Sequence, residues 1–362
     1  MDFELSEEQE MMRRGLRELL ARAGDAGHMR SIAYDGDGRD PGLWQALVEA
    51  GWAGVGSPEA AGGAGGAFED LILVFEEAGR AVLPLPLTST LLAARAVARA
   101  PDSSIRDDVL TRTASGAASV TIALSTRPDV GGDGPTFADG RLSGSIAFVP
   151  HGPLADVALV EASLPGGGRS LVLVRTDAPG IAWTELALMD RSVRYYDGTF
   201  DNVEATSLFG GDASAVIDAL LDEWTVALAA ESLGAAQRML EMTVAHAKER
   251  VQFGRPIGAN QAVKWRIADM GAAVERMRAA VYHAAVKIDA NAGERSVAVA
   301  MAKAATAAPG AFVGSQAIHV HGGVGFTWEH DLHLYFKRVK SNEILLGDSD
   351  AHLARIADAI LA

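Results

Sequence analysis

A seam of apolar side chains in the last third of the chain constrains the fold more than any other feature. Its members step by alternating intervals of four and three residues, and they are Val263, Ile267, Met270, Val274, Met277, Val281, Ala284 and Ile288. Residues three and four apart share one face of an α-helix, so the spacing predicts a long helix. Antiparallel helices packed as a bundle are the architecture that buries such a seam.

The sequence changes character twice, which divides it into three regions. Residues 1–113 are typical of helices with polar loops, beginning with a capping box at Ser6–Gln9. Residues 114–210 carry short β-branched runs between Gly, Pro and Asp, which predict an antiparallel sheet or barrel. Residues 211–362 return to helical periodicity. We therefore predict an α+β fold in the order helix, sheet, helix.

Composition excludes several classes of chemistry. The chain has 362 residues, no cysteine and a net charge of -15. The absence of cysteine excludes disulfides, thiolate metal sites and cysteine nucleophiles. The negative charge argues against nucleic acid as a partner, because phosphate backbones require clustered Lys and Arg. No uninterrupted apolar run reaches about 18 residues, so no membrane span is expected. The acidic N-terminus is unlike an export signal, and we expect a cytoplasmic protein.

The segment Arg250–Ile257 lies between two predicted helices, and two interpretations of it are open. It is an ordinary interhelical turn with solvated arginines, because Gly254 and Pro256 stop the first helix. Alternatively it is a cradle in which Arg250 neutralises a pyrophosphate and Phe253 covers an apolar ring.

The segment His319–Phe326 also allows two interpretations. It is a helix end capped by glycines. Alternatively, Gly322, Gly323 and Gly325 allow backbone amides to approach a phosphate or a ring edge.

Other clusters suggest functions that their spacing does not support. Four histidines lie close together in sequence, at positions 319, 321, 330 and 333, but they fit no common zinc pattern, and no metal site is predicted. The run Gly62–Gly66 does not follow a predicted strand, so we interpret it as a turn and not as a nucleotide loop.

Taken together, these segments resemble the acyl-CoA dehydrogenase family across nearly the whole chain. The resemblance is carried by Phe3–Gln9, Trp44–Gly63, Glu76–Arg80, Arg250-x-x-Phe-Gly-x-Pro-Ile257 with Gln261, and His321-Gly-Gly-Val-Gly-Phe326. It implies a helical N-terminal domain, an antiparallel β middle domain and a C-terminal four-helix bundle. It also implies FAD and α,β-dehydrogenation of an acyl-CoA thioester. In such enzymes a glutamate removes the α-proton, a hydride passes to the flavin, and an electron-transfer flavoprotein-type acceptor takes the electrons.

The resemblance also implies which residues contact FAD. By position they are Arg250, Phe253, Gly254, Gln261, His319, Gly322 and Gly323. Arg250 and Phe253 would reach the FAD of a neighbouring subunit, and the two glycines would line its ADP portion. His319 stands where the family usually has glutamine, which implies an altered contact.

The catalytic glutamate of the family is the residue that this sequence lacks. Its position falls on Leu346, and leucine has no lone pair that could take a proton. Some members carry the glutamate on the first long C-terminal helix, where this chain has Trp224. The adjacent Glu223 points about 100° away around the helix and remains the fallback base. Asp348 and Asp350 are expected to cap the last helix.

The middle region departs from the family pattern as well. Leu124–Val130 stands where the family has a Thr-Glu-Pro-Gly stretch against flavin and substrate, and Phe148–Pro150 stands for its Trp-Ile-Thr segment. In both segments that would face the flavin in the chain's own site, the sequence pattern of the family is therefore largely lost. The segment Gly325–Tyr335 resembles the corresponding segment of heteromeric bacterial acyl-CoA dehydrogenases for steroid side chains, in which one chain lacks the base.

Three hypotheses follow. The preferred one is a catalytically incomplete subunit that forms a heterotetramer with a base-bearing paralogue. The second is a self-sufficient homodimer or homotetramer that uses Glu223 as its base. The third is a structural or ligand-binding relative without enzymatic activity.

Overall fold

The structure, a computed structural model, describes residues 5–125 and 134–361. The helices within these residues are α1 (Glu7–Ala23), α2 (Ala26–Arg30), α3 (Pro41–Glu49), α4 (Phe68–Arg80), α5 (Leu87–Ala98), α6 (Ser104–Ala114), α7 (Ser214–Glu249), α8 (Gln261–Asp289), α9 (Arg295–His321), α10 (Leu332–Ile344) and α11 (Ser349–Leu361). The strands are β1 (Val120–Ala123), β2 (Thr136–Ala138), β3 (Arg141–Pro150), β4 (Val157–Ser163), β5 (Arg169–Arg175), β6 (Ile181–Glu185), β7 (Tyr195–Glu204), β8 (Thr206–Ser207), β9 (Val251–Gln252) and β10 (Arg255–Pro256). The α+β class and the order helix, sheet, helix are confirmed.

Packing groups the chain into two compact units that do not follow chain order. The helical unit comprises Met1–Arg30, Ile72–Leu83 and Thr225–Ala362, and the sheet unit comprises Ser31–Leu71 and Pro84–Trp224. The division of the sequence into domains at residues 113 and 211 stays a prediction.

An eight-stranded sheet forms the centre of the sheet unit. Its order is β6-β7-β3-β2-β4-β5-β8, and β1 pairs with β4. β1 and β2 both run parallel to β4, whereas the remaining pairs are antiparallel. The expected antiparallel sheet is therefore corrected to a mixed one. The physical reason is the connection from β1 to β4, which is long enough to cross over and return in the same direction.

The predicted seam of α8 is buried along most of its length. Its members from Met270 to Ile288 are buried, whereas Val263 and Ile267, near the start of the helix, are half-buried. α9 packs against α8, α10 and α11, which accounts for its high alanine content. The prediction of packed C-terminal helices is confirmed.

By length and composition alone, one helical stretch, Arg295–Phe326, is apolar enough to cross a membrane. However, 56% of its most apolar window is buried inside the chain. It also carries Lys303, which is buried. These are the properties of a core helix, which meets the same criterion of length and hydropathy.

α4 and α7 cross at a distance that only glycine permits. A Cβ atom added at Gly79 would lie 2.0 Å from the carbonyl oxygen of Glu231, and one added at Gly234 would lie 1.8 Å from that of Glu76. Both distances are far below van der Waals contact. The two backbones therefore pack directly against each other.

Buried ion pairs join the helices around this crossing. Glu76 accepts hydrogen bonds from Arg278 at 2.5 Å and from the hydroxyl of Tyr282 at 2.9 Å. Glu231 accepts one from Arg338 at 3.1 Å, and both side chains are buried. Buried charges are tolerated when they are paired and hydrogen-bonded in this way. The pairs fix how α4, α7, α8 and α10 pack.

We expect Gly234→Ala to lower the free energy of unfolding by about 3 kcal/mol, because the added methyl group forces apart two backbones in contact. Gly271→Ala is the matched control on α8, where an added Cβ meets nothing within 4 Å. It should stabilise the helix by up to about 1 kcal/mol. Urea unfolding followed by circular dichroism measures both, and equal effects of the two variants would contradict the tight crossing.

Candidate functional site

The segment after α7 forms a two-stranded hairpin of β9 and β10. Its turn consists of Phe253 and Gly254, both with left-handed backbone at φ 52° and 79°. Two consecutive left-handed residues are typical of a type I′ hairpin turn. Phenylalanine rarely adopts this conformation, and its side chain is fully exposed at 102%. The hairpin therefore presents an aromatic ring outward from a strained position, immediately after the exposed Arg250.

The three glycines after α9 are glycine for different reasons. Gly322 has φ 66°, which favours glycine by conformation. Gly325 is buried, and a Cβ there would lie 3.0 Å from the Cβ of His321. Gly323 has neither property, since its φ is not positive and an added Cβ meets nothing within 4 Å. Packing within the described chain therefore does not require glycine at position 323. Glycine is expected there if a bound group approaches the backbone closely.

Large apolar side chains surround these two segments and are exposed. They are Val251, Phe253, Val324, Phe326 and Trp328, with exposures between 49% and 102%. A group of exposed apolar side chains marks an interaction surface. The Arg250 guanidinium offers donors for an anion, and the exposed aromatic side chains offer cover for a ring. This donor set fits a dinucleotide.

A stack of three histidines brings the two segments together. The rings of His246 and His321 are parallel with centroids 4.4 Å apart, and the ring of His330 meets that of His321 at 4.9 Å and 64°. His246 lies in the last turn of α7, and its carbonyl accepts the Arg250 amide at 2.8 Å. His321 ends α9. The hairpin and the glycine turn therefore begin at adjacent points.

The histidines do not form a metal centre in the described residues, where no group of three or more His, Cys, Asp or Glu side chains could hold an ion. Their rings stack face to face or edge to face instead of pointing at one centre. Sequence reasoning found His321 and His330 but missed His246. Its position in the last turn of the helix, four residues before Arg250, was the sequence signal that could have associated it with the site.

The remaining predicted cofactor residues lie nearby in chain order. Gln261 is the first residue of α8 and is exposed, and the side chain of Asn260 caps the helix at the Ala262 amide. His319 is exposed on the last turn of α9. Both side chains are therefore open to a ligand, and their contacts with one stay predictions.

Leu346 lies in the connection between α10 and α11, which two buried basic side chains hold in place. The Nζ of Lys303 donates to the carbonyls of Asn342 and Leu345, the latter at 2.6 Å. The Nε2 of His352 donates to the Leu346 carbonyl at 2.9 Å. Leu346 has φ 60°, an unusual conformation for leucine. The backbone at Leu346, where the resemblance predicts the glutamate of the family, is therefore fixed by contacts that do not involve the side chain of residue 346.

Lys303 and His352 together form a clamp on this loop, and burial lowers the pKa of both side chains. It lowers the pKa of Lys303 to about 7, although Glu343 and Asp348 act in the opposite direction. It also lowers the pKa of His352 to about 4. The Nδ1 atom of His352 has no hydrogen-bond partner among the residues that the structure describes, so a second proton there would be unsatisfied.

The carboxylates near Leu346 and on α7 have other partners. Asp348 accepts the Ala351 amide at 3.0 Å, which confirms that it caps the last helix. Glu223, in the sheet unit, is only 1% exposed. Its oxygens accept hydrogen bonds from Arg95 at 3.1 and 3.2 Å and from both terminal nitrogens of Arg99. The carboxylate of Glu223, the fallback base, is thus hydrogen-bonded to two guanidinium groups.

The two segments of the middle region that depart from the family pattern are only partly visible. Residues 126–130 of Leu124–Val130 lie outside the described residues. Phe148 lies at a bulge of β3 between Ile146 and Val149, where the pairing with β7 shifts. It has φ 58°, and its amide donates to the Asp197 carboxylate at 3.2 Å.

Comparison with known proteins identifies the family of the chain. The family model for the acyl-CoA dehydrogenase N-terminal domain matches residues 6–117, and the model for the C-terminal domain matches residues 214–361. Acyl-CoA dehydrogenase IpdE2 of Mycobacterium tuberculosis is 34% identical over 98% of each chain.

Two similar solved structures come from complexes of two different chains. A steroid acyl-CoA dehydrogenase, the Tcur3481-Tcur3483 G363A variant, is 34% identical over 98% of each chain with a TM-score of 0.88. The ChsE4-ChsE5 complex from Mycobacterium tuberculosis is 29% identical over 100% of this chain and 99% of the other, with a TM-score of 0.90.

We expect stability to fall between pH 6.5 and about 4 in part through His352. Its pKa is lower in the folded chain, so the unfolded chain binds the proton first, and stability present above pH 6.5 is lost as the pH falls. His352→Gln keeps a donor for the Leu346 carbonyl but cannot titrate. It should lose roughly 1 to 3 kcal/mol less stability over this range than the unaltered chain.

Urea unfolding at pH 7 and pH 4.5 measures this difference. His283→Gln, on α8, controls for the removal of an imidazole away from the clamp. Equal losses in His352→Gln and the unaltered chain would show that His352 does not titrate in this range.

Proposed function

Because the chain belongs to the acyl-CoA dehydrogenase family, we propose that it is the base-lacking subunit of a heteromeric acyl-CoA dehydrogenase. Members of the family are FAD-dependent oxidoreductases that act on acyl-CoA thioesters. When bound, FAD accepts the hydride that leaves the β-carbon of the acyl group. The observation that carries the proposal is a leucine, Leu346, at the position where the family has its base, on a loop whose backbone is hydrogen-bonded to Lys303 and His352.

The hairpin and the glycine turn are the parts of this chain that would hold FAD. Arg250 would neutralise the pyrophosphate with charge-assisted hydrogen bonds. Phe253 and Gly254 would place an aromatic ring against the cofactor, and the backbone at Gly322 and Gly323 would line its ADP portion. Gln261 and His319 would add polar contacts. The support is the exposure of these groups and the open space above Gly323.

The α-proton requires a base from another chain. Leu346 has no lone pair, the Asp348 side chain is hydrogen-bonded to a helix amide, and the oxygens of Glu223 face two guanidinium groups. A base needs a lone pair within hydrogen-bond reach of the proton that it abstracts. A paralogue with glutamate at the position of Leu346 would supply it, in a heterotetramer.

The substrate that we propose is the CoA thioester of a steroid-derived acyl group. The support is the likeness to a protein described as a steroid acyl-CoA dehydrogenase, at 34% identity over nearly the whole length of both chains. We propose the cytoplasm as its location and an electron-transfer flavoprotein-type protein as the electron acceptor, in agreement with the family's chemistry.

Two alternatives have less support. A self-sufficient homomeric dehydrogenase would need Glu223 to leave Arg95 and Arg99, which both bind its carboxylate. A structural or ligand-binding relative without a cofactor leaves the strained Phe253 and the open Gly323 without a purpose. A purified chain without flavin absorbance, even with its partner, would favour this second alternative.

We expect Arg250→Gln to weaken FAD binding by about 10- to 100-fold, the range for a lost charge-assisted hydrogen bond. Arg255→Gln, on the other strand of the same exposed hairpin, is the matched control for charge and should change the affinity by less than about threefold. Fluorescence titration of the apoprotein with FAD measures both dissociation constants. Equal losses of FAD affinity in the two variants would show that Arg250 contributes only general electrostatic attraction.

We expect the purified chain alone to oxidise acyl-CoA about 10²- to 10⁴-fold more slowly than its complex with a base-bearing paralogue, the range for a missing general base. Glu223→Gln should leave turnover of the complex within about twofold while lowering stability by roughly 1 to 3 kcal/mol. Single-turnover bleaching of the flavin measures the first effect and thermal unfolding the second. Full turnover by the chain alone, abolished in Glu223→Gln, would establish the homomeric alternative.

A further inference from the structure

We propose that the stack of His246, His321 and His330 positions the hairpin against the glycine turn and releases the cofactor when it becomes charged in mild acid. The inference rests on the proposed FAD site and adds a control of that site by pH. Its basis is the place of the three rings: His246 precedes the hairpin, His321 precedes the glycine turn, and His330 follows that turn.

Hydrogen bonds assign the protons within the stack. The Nδ1 of His321 lies 2.8 Å from the Ala317 carbonyl, which only an N–H can approach favourably. The Nδ1 of His330 accepts the Leu332 amide at 3.2 Å, so its proton is on Nε2. Each of these two rings is thus satisfied in its neutral form.

Burial and most of the neighbouring charged groups oppose protonation of the stack. His246 stacks on His321 from α9 and interacts electrostatically with His330 from the segment before α10. Its neighbours in sequence are Glu249 at the end of α7 and Arg250 just after it. Burial lowers the pKa of His246, and His330 and Arg250 lower it further, whereas Glu249 acts in the opposite direction. Burial likewise lowers the pKa of His321, with additional lowering from His246 and His330 and an opposing contribution from the Ala317 carbonyl.

Two effects of protonation compete at the cofactor. A proton on His246 adds positive charge near Arg250 and would attract a pyrophosphate. A second proton in the stack places like charges on rings only 4.4 or 4.9 Å apart and pushes the ends of α7 and α9 away from each other. Arg250 already attracts the pyrophosphate without a proton on His246. We therefore expect repulsion between the charged rings to determine how protonation changes FAD binding. FAD should therefore dissociate faster as the pH falls.

The test is the rate of FAD release from the loaded protein between pH 7.5 and pH 5.5. The unaltered chain should release FAD about tenfold faster at the lower pH, the change that one unit of differential pKa produces. His246→Phe keeps a stacking ring that cannot charge, and its rate should change by less than about twofold. His283→Gln, which removes an imidazole outside the stack, should behave like the unaltered chain.

A second measurement does not depend on the cofactor. In the apoprotein with ¹³C-labelled histidine, the His246 and His321 signals should titrate below pH 6.5. Hydrogen exchange at residues 322–326 should rise over the same pH range, and both effects should be reduced in His246→Phe. This measurement keeps the proposal testable if that variant binds FAD poorly at pH 7.5.

Two failures are distinguishable. If the chain and its complex bind no FAD at pH 7.5, the proposed cofactor site is wrong. If FAD binds but His246→Phe follows the pH profile of the unaltered chain, or release slows in acid, the site stands and the role of the histidine stack is wrong.

Discussion

The helical unit depends on buried carboxylates that have to be paired. Glu76 and Glu231 lie on α4 and α7, and their cationic partners Arg278 and Arg338 come from α8 and α10. Loss of one partner in such a pair costs about 3 to 5 kcal/mol, because it leaves an uncompensated charge in the interior. Four helices are therefore held in one register. That register determines where α7 ends, and hence where the exposed hairpin begins.

The candidate site begins where this packing stops, and its glycines show the change. Gly234 is glycine because another backbone lies where its side chain would be, whereas nothing of the described chain lies above Gly323. Phe253 shows the same contrast, since it is bulky, left-handed and fully exposed. Conformational strain in an exposed residue gains nothing for packing and is typical of functional segments. A tightly packed unit thus carries an exposed surface whose residues are not explained by packing within the described chain.

Features set by local sequence could be predicted, and features set by distant residues could not. The seam of α8 and the cap at Ser6 follow from spacings within a few residues. β7 has no such local signal, because Asp197, Gly198 and Asn202 interrupt its apolar pattern, and only pairing with β3 and β6 makes it a strand. The partners of Glu223 lie 124 and 128 residues away in sequence. The histidine stack likewise joins three segments that no spacing rule connects.

Under the proposed function, the loop at Leu346 shows how a chain can lack a base and still keep the loop that would carry one. Its left-handed backbone costs about 1 to 3 kcal/mol for any residue with a side chain, and glutamate would experience the same strain as leucine. The conformation is imposed by Lys303 and His352, whose contacts reach only the backbone. The identity of residue 346 can therefore change without altering the loop. A subunit could lose its base in this way while it kept the fold and the surface that a base-bearing partner needs.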